Sequence, residues 1–484
     1  MKKKLTRRQF AKNMGGLGLS TLALNTLGLA GLFSSSQAMA QASDYKALVY
    51  VYLFGGNDSF NMVAPKEPGI LRARYETGRG SVALPADDLH PLELRSNALI
   101  SSGESYDGFG MHPDCADLAS MFNNGELGVL SNVGNLIEPT SRDSFSDVTQ
   151  QLPPQLFSHA DQSRQLLSEP ISNIRYGWGG RVAEILGDEN SDPTLSPLVS
   201  TAGLNPFQLT LNREIGTYST GTQGPSALRN NTNVRSTMLD GFMRAPSFDL
   251  FSQRYRDVYD SAVLANATVG QAFDIADQVE IDLGFDYDDV FNSAGAGGTR
   301  LGDQLKAVAK LIAGREASAN NRPIYFVRIG GFDQHTSLLV DHAERMQELN
   351  NGLKGFRDAL VAQGDFENTL THIGSEFGRT FTPNSSGTDH GWGGNMMVMG
   401  GAVNGGHLFG RYPDLVLGGE RDADNRGRGR WIPQTSTHQT AAVMSSWLGV
   451  GSEDLNAIFP TLSNFDDPFG ANANLNFMRQ DVGA

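Results

Sequence analysis

Apolar runs of five to nine residues, too short for helices of ordinary length, recur along this chain, and several end in glycine followed at once by polar side chains. Lys46–Phe54 (KALVYVYLF) runs into Gly55-Gly56-Asn57-Asp58-Ser59, and Ile324–Ile329 runs into Gly330-Gly331-Phe332-Asp333-Gln334-His335. Thr369–Ile373 runs into Gly374-Ser375-Glu376-Phe377-Gly378-Arg379. Continuous Val/Ile/Leu/Tyr runs suit strands buried on both faces, which means a parallel sheet covered by helices. The covering helices are legible too. Cys115–Asn124, Arg181–Leu186, Gly302–Ala317 and Ser337–Ala362 carry helix-like spacing, as in Leu305, Val308, Leu311 and Ile312. Further strands are expected at Leu127–Val133 and Met396–Met399. Strand–helix–strand alternation with short loops predicts an α/β fold with a mainly parallel central sheet and helices on both faces.

The two ends of this pattern differ from its middle. Residues 1–40 hold Lys2, Lys3, Lys4, Arg7, Arg8 and Lys12, a weakly apolar Gly/Leu/Ala run, and Ala38-Met39-Ala40. A basic start with paired arginines, an apolar stretch and an A-x-A site predict a cleaved twin-arginine signal peptide. The expected partner is the twin-arginine export machinery and the expected location is periplasmic or secreted. The rest, 41–484, reads as a single domain with an irregular, loop-rich insertion or cap at about 187–299, where Asn, Ser, Thr, Gly and Pro concentrate. Within it Phe248–Thr268 has helix-like spacing.

Charge and cysteine content exclude several classes. The leader takes six of the 38 Lys+Arg and none of the 53 Asp+Glu, so the mature chain has 32 cations against 53 acids, a formal charge of −21. Nucleic acid and anionic membrane surfaces, which need basic patches, are not expected partners. Cys115 is the single cysteine, so cysteine-based metal or thiol chemistry is not expected. No other segment has the roughly 20 apolar residues of a membrane span, so no stable membrane anchor is expected in the mature form.

Candidate site residues cluster after the strands, where open α/β sheets gather ligands. Asp58 is a metal candidate, although Asn and Asp are common in plain turns. Asp333 and His335 are spaced i, i+2 and reach one side of an extended segment, yet Asp333 also fits a cap on the following helix. Glu376 and Arg379 suit a cation and an anionic oxygen respectively, or a simple ion pair. Asp389 and His390 sit in the glycine-rich Gly387–Gly394 loop (GTDHGWGG). Ser59, Ser158 and Arg142, with Thr140 and Ser141 beside the arginine, are polar enough for catalytic roles, but no nucleophile-elbow motif selects a serine.

These motifs in this order resemble an exported bacterial family, domain of unknown function 1501. The matching stretches include LFGGNDSFNMVAP (Leu53–Pro65), MHPDCADL (Met111–Leu118), FSHADQ (Phe157–Gln162), GGFDQH (Gly330–His335), SEFGRT (Ser375–Thr380) and TDHGWGG (Thr388–Gly394). That family is similar to a branch of the alkaline phosphatase and sulfatase superfamily. The resemblance implies an alkaline-phosphatase-like three-layer sandwich and a metal-dependent hydrolase acting on phosphate or sulfate esters. It also implies a divalent ion, Zn, Mn, Mg or Ca, held among Asp58, Asp333, His335, Glu376, Asp389 and His390. Glu376 and Phe377 stand where the superfamily has Asp and His. That departure leaves open a catalytically inactive pseudo-hydrolase serving as a binding or assembly protein.

Overall fold

The computed structural model describes residues 45–479 apart from 170–175, 193, 212–214, 226–237, 239–240, 242 and 244–248. The expected leader, 1–40, lies outside the described residues. The chain divides into two units, Met1–Tyr45 and Lys46–Ala484, and every element below belongs to the second.

Its main strands are β1 (Ala47–Phe54), β2 (Leu127–Gly134), β3 (Leu198–Ser200), β4 (Tyr218–Ser219), β5 (Ile324–Gly330), β6 (Thr369–Ser375), β7 (Gly394–Met399), β8 (Leu408–Gly410) and β9 (Thr435–Ser436). They form one nine-stranded sheet in the order β8-β2-β7-β6-β1-β5-β3-β4, with β9 also on β2. β1 pairs in parallel with both β5 and β6, placing Leu53 beside Ile329 and Ser375. Only β7 runs against its neighbours, β6 and β2, so the other eight strands end on one edge of the sheet. Three of the candidate motifs therefore arrive at one place.

The main helices are α1 (Ala116–Asn124), α2 (His159–Leu167), α3 (Trp178–Ile185), α4 (Leu250–Leu283), α5 (Arg300–Ala313), α6 (Leu338–Ala362) and α7 (Thr437–Leu448). Successive strand side chains point to opposite faces, and Ala47 through Leu53 are all buried, so both faces of β1 are covered. Leu48, Tyr50 and Tyr52 share a core with Leu166, Trp178, Val182 and Ala441 from α2, α3 and α7. α1, α5 and α6 pack together as the second layer. There Gln304 Nε2 donates to the Arg328 carbonyl at 3.0 Å, tying α5 to β5. This is the three-layer α/β architecture expected from the apolar runs.

Local chemistry explains the helix limits. Thr299 caps α5 by accepting from the Gly302 amide, and Leu301, Leu305, Val308 and Ile312 bury one stripe. Each such side chain stabilises the fold by about 1.5–3 kcal/mol. α7 starts with a capping box between Ser436 and Gln439.

The middle segment departs from the expected irregular insertion. β3 and β4 extend the sheet, and α4 runs 34 residues, well beyond Thr268. Three- and two-residue strands leave no periodicity to read. α4 continues because Ala265, Val269, Ala272 and Ala276 form a small-residue stripe against α5, close enough that a Cβ on Gly314 would meet the Ala272 carbonyl oxygen at 2.0 Å.

Candidate metal centre

β5 ends at Gly330, and Asp333 follows in the loop beside Gly55. Gly55 has φ +124°, and a Cβ there would lie 2.5 Å from the Asp333 amide nitrogen, so only glycine lets the β1 and β5 loops touch. The Gly387–Gly394 loop lies against the residues after β6 in the same way. A Cβ on Gly391 would meet the Arg379 carbonyl oxygen at 2.6 Å, and Arg379 bridges His390 there. The glycines of both motifs thus bring Asp333, His335 and His390 together.

A third strand of chain completes the group. Phe157, at φ +73°, occupies the left-handed region that non-glycine residues rarely adopt. Its carbonyl accepts from His390 Nδ1 at 2.7 Å, and two residues later His159 opens α2. His159, Asp333 and His390 each offer one ligand atom, all within 4.8 Å of one another.

The hydrogen bonds fix which nitrogens face inward. Glu376 Oε1 accepts from the Gly55 amide at 2.9 Å and meets His159 Nδ1 at 2.8 Å. A carboxylate and a carbonyl only accept, so His159 and His390 carry protons on Nδ1, and as neutral rings they turn lone pairs on Nε2 toward Asp333. His159 Nε2 lies 3.3 Å from Asp333 Oδ2, and His390 Nε2 lies 3.2 Å from Oδ1. His159 Nε2 is buried with no hydrogen-bond donor among the described residues. Acceptors facing each other at this distance need a positive charge between them, either a proton on His159 Nε2, which its raised pKa favours, or a cation that displaces it. Two donors sharing a cation at ~2.0–2.2 Å stand about 3–3.5 Å apart, so this set fits a metal ion. A carboxylate behind a ligating imidazole, as Glu376 is behind His159, is the usual outer support of such a site.

His335 flanks the group on the open side. Its Nε2 lies 3.0 Å from both Asp333 Oδ1 and His390 Nε2, and its Nδ1 lies 3.3 Å from Asp389 Oδ1. Asp389 is held in turn by Asn384 at 2.9 Å and by Arg428 at 2.8 Å. Phe377 packs its ring against those of His159 and His390, with centroids 4.8 and 5.0 Å away.

Electrostatics follow from these contacts. Burial opposes ionisation of Asp333, but the hydrogen bond and charge of Arg379, with His159 and His335, outweigh it and hold the carboxyl at about 2. The Glu376 hydrogen bond raises His159 above the ordinary imidazole range against the pull of burial. Burial lowers His390, helped by the charges of His159 and Arg379, so its Nε2 stays free of a proton.

A family model described as "Protein of unknown function (DUF1501)" matches residues 45–445. This chain belongs to the DUF1501 family. A search of curated proteins finds no match. Among solved structures, this DUF1501 protein is similar to Ps i-CgsB, at 8% identity and TM-score 0.30 over 88% of this chain and 77% of that one. It is also similar to the PsFucS1 sulfatase from Pseudoalteromonas sp., at 11% identity and TM-score 0.33 over 92% of this chain and 75% of that one. Superpositions this loose carry no argument about activity.

The remaining sequence candidates of this DUF1501 chain are distributed unevenly. Asp58 is buried and ion-paired with Arg79 instead of joining the histidines. Glu376 reaches the cluster through His159, because its oxygens are occupied by Gly55, Ser375 and that imidazole. Arg379 is buried and donates to Asp333, the Gly55 carbonyl and Thr388, so it anchors Asp333 rather than presenting a free guanidinium. Ser59 is buried, its hydroxyl accepting from the Asn395 amide at 2.7 Å. Ser158 donates to Asp161 at 2.6 Å. Arg142 donates to the Gly419 carbonyl at 3.4 Å, on a short helix capped by Ser141. His159 was not among the candidates. Its sequence signals are the polar cluster Ser158-His159-Ala160-Asp161, which looks like any loop, and its place in the FSHADQ stretch that matches the family.

Proposed function

We propose that this protein is an exported metal-dependent hydrolase acting on phosphate or sulfate esters, a reading drawn from the resemblance to the alkaline phosphatase and sulfatase superfamily. The observation that carries it is the convergence of His159 Nε2, His390 Nε2 and the Asp333 carboxylate, with the buried His159 lone pair left without a donor. These three residues would hold the ion. A bound divalent cation would polarise an ester oxygen and offset the charge that develops there. Histidine and carboxylate donors suit zinc or manganese better than calcium, which takes oxygen ligands. Glu376 orients His159, Arg379 keeps Asp333 ionised, and Phe377 excludes water behind both imidazoles. His335, backed by Asp389 and open to solvent, holds the transferable proton at Nε2. With Ser59 and Ser158 committed to neighbours, water is the nucleophile.

Metal analysis of natively exported protein, with p-nitrophenyl phosphate and p-nitrophenyl sulfate as substrates, tests the reading. His159→Ala should lose the metal, whereas His335→Ala should keep it and lower kcat about 10²–10⁴-fold, the usual contribution of a proton-transferring group. Protein that binds no divalent metal sinks the proposal. The second reading, a scaffold that binds ligands without cleaving them, is favoured by the engagement of Ser59, Ser158 and Arg379. Metal-loaded protein that turns over neither ester would establish it.

A further inference from the structure

A cavity of about 430 Å³ opens where the chain leaves β2 and β8 and approaches β9. β2 and β8 run parallel to β1, β5 and β6, so the cavity lies on the same sheet edge as the histidine cluster, several strands along. Its size is that of a small-molecule site. Between cavity and cluster lies an apolar group containing Leu136, Trp392 and Ile432, with Phe157 and Phe465 packed against it. Leu136 and Phe465 also line the cavity, while Phe157 is the residue whose carbonyl holds His390.

Part of the polar lining is uncommitted. Arg411 is half-buried, and its side chain makes no hydrogen bond or ion pair among the described residues. Arg421 donates through Nη1 to the Thr140 carbonyl at 3.0 Å, and its Nη2 lies 3.4 Å from the exposed Glu420. Gln434 lines the cavity, and its buried Oε1, with no donor among the described residues, would gain one by turning toward a ligand hydroxyl. Asp466, the one acid in the lining, is exposed, as is Asn472. Two guanidiniums favour a planar or tetrahedral anion, which arginine grips through paired N–H donors. A buried amide acceptor and surrounding hydroxyl and amide groups favour hydroxyls, and the Phe465 ring offers a flat apolar wall.

We propose that this cavity binds an acidic sugar, a polyhydroxylated ring carrying a carboxylate or sulfate, with Arg411 as its main anion contact and Gln434 accepting from a ring hydroxyl. The proposal goes beyond the metal-dependent reading and does not require it.

Titration calorimetry of the full mature protein with glucuronate, galactose 6-sulfate, galactose and inorganic sulfate provides the test. Saturable binding of at least one acidic sugar is expected, weakened tenfold or more by Arg411→Gln and again by Asn472→Asp, an exposed change that adds a repelling charge. Galactose and inorganic sulfate should each bind at least tenfold more weakly. His159→Ala should leave the affinity unchanged. No saturable binding of either acidic sugar overturns the proposal, as does binding indifferent to both cavity variants. Inorganic sulfate binding as tightly as the sugars reduces the site to one for simple anions and overturns the sugar assignment. Loss of binding in His159→Ala alone moves the ligand to the histidine cluster and overturns the cavity site while leaving the metal reading intact.

Discussion

Two aspartates follow parallel strands on the same sheet edge, and each is paired with an arginine. Asp58, after β1, and its partner Arg79 are sealed, with side chains 1% and 0% exposed. Asp333, after β5, is paired with Arg379, yet its own side chain is 45% exposed. Arg79 fills its remaining donors with Asn61 and the Phe381 carbonyl, so the first pair is a closed structural unit. Around Asp333 three imidazoles crowd in, the Nε2 atoms of His159, His335 and His390 lying 3.3, 3.0 and 3.2 Å from its carboxylate. The same residue types serve packing in one place and ligand chemistry in the other. What separates them is exposure and the surrounding imidazoles, since a buried acceptor without a partner among the described residues occurs in both places, Asp58 Oδ1 and His159 Nε2.

Breaking the sealed pair should have the largest effect. Asp58→Ala leaves Arg79 buried without its counter-charge, and its urea unfolding free energy should fall by about 3–5 kcal/mol with metal stoichiometry unchanged. A loss below about 1 kcal/mol would mean that Arg79 is satisfied by its neutral acceptors alone, beneath the range for a broken buried pair.

On the open side, Glu376→Gln probes the support behind His159. Metal affinity should drop about 10–100-fold, as when an outer carboxylate is removed, with a much smaller change in stability than Asp58→Ala. Competition with a chelator reads this directly. Unchanged affinity would show that Glu376 does not orient His159.

The smallest effect concerns pH. Burial pushes His112, His342 and His372 down to about 3 and His438 down to about 4, so all four fold as neutral rings. In the unfolded chain they take up protons near pH 6.5. Their folded values lie below the unfolded one, so the stability they permit is complete above about pH 6.5 and declines as pH falls toward 4. Each ring contributes a slope of up to about 1.4 kcal/mol per pH unit. His372 has no hydrogen-bond partner on either nitrogen among the described residues, so His372→Leu should flatten the acid limb by about one proton. Parallel pH profiles for the two proteins would contradict this assignment.

Much of this arrangement was legible in the residues, and the failures have identifiable causes. Asp333 and His335 stood out because they follow an apolar strand, and Asp389 and His390 because they sit among glycines, and the folded chain brings them within contact. Ser59 and Arg379 also stood after strands, but position along the chain does not reveal burial. Asn395, from a distant segment, closes over Ser59, and Thr388, in the loop that folds back, closes over Arg379. The middle of the chain was read as irregular because strands of two and three residues are shorter than any periodicity.

The sequence alone determined the layered α/β architecture, since buried parallel strands and amphipathic helices are written in local apolar spacing. It also determined which strand ends carry acids and imidazoles. Only the tertiary structure decided that His159 joins Asp333 and His390, that Glu376 stands behind an imidazole, and that Asp58 is closed off by Arg79. Those outcomes depend on which chain segments meet across the sheet edge. Contacts between residues 174 positions apart, as His159 and Asp333 are, leave no local pattern to read.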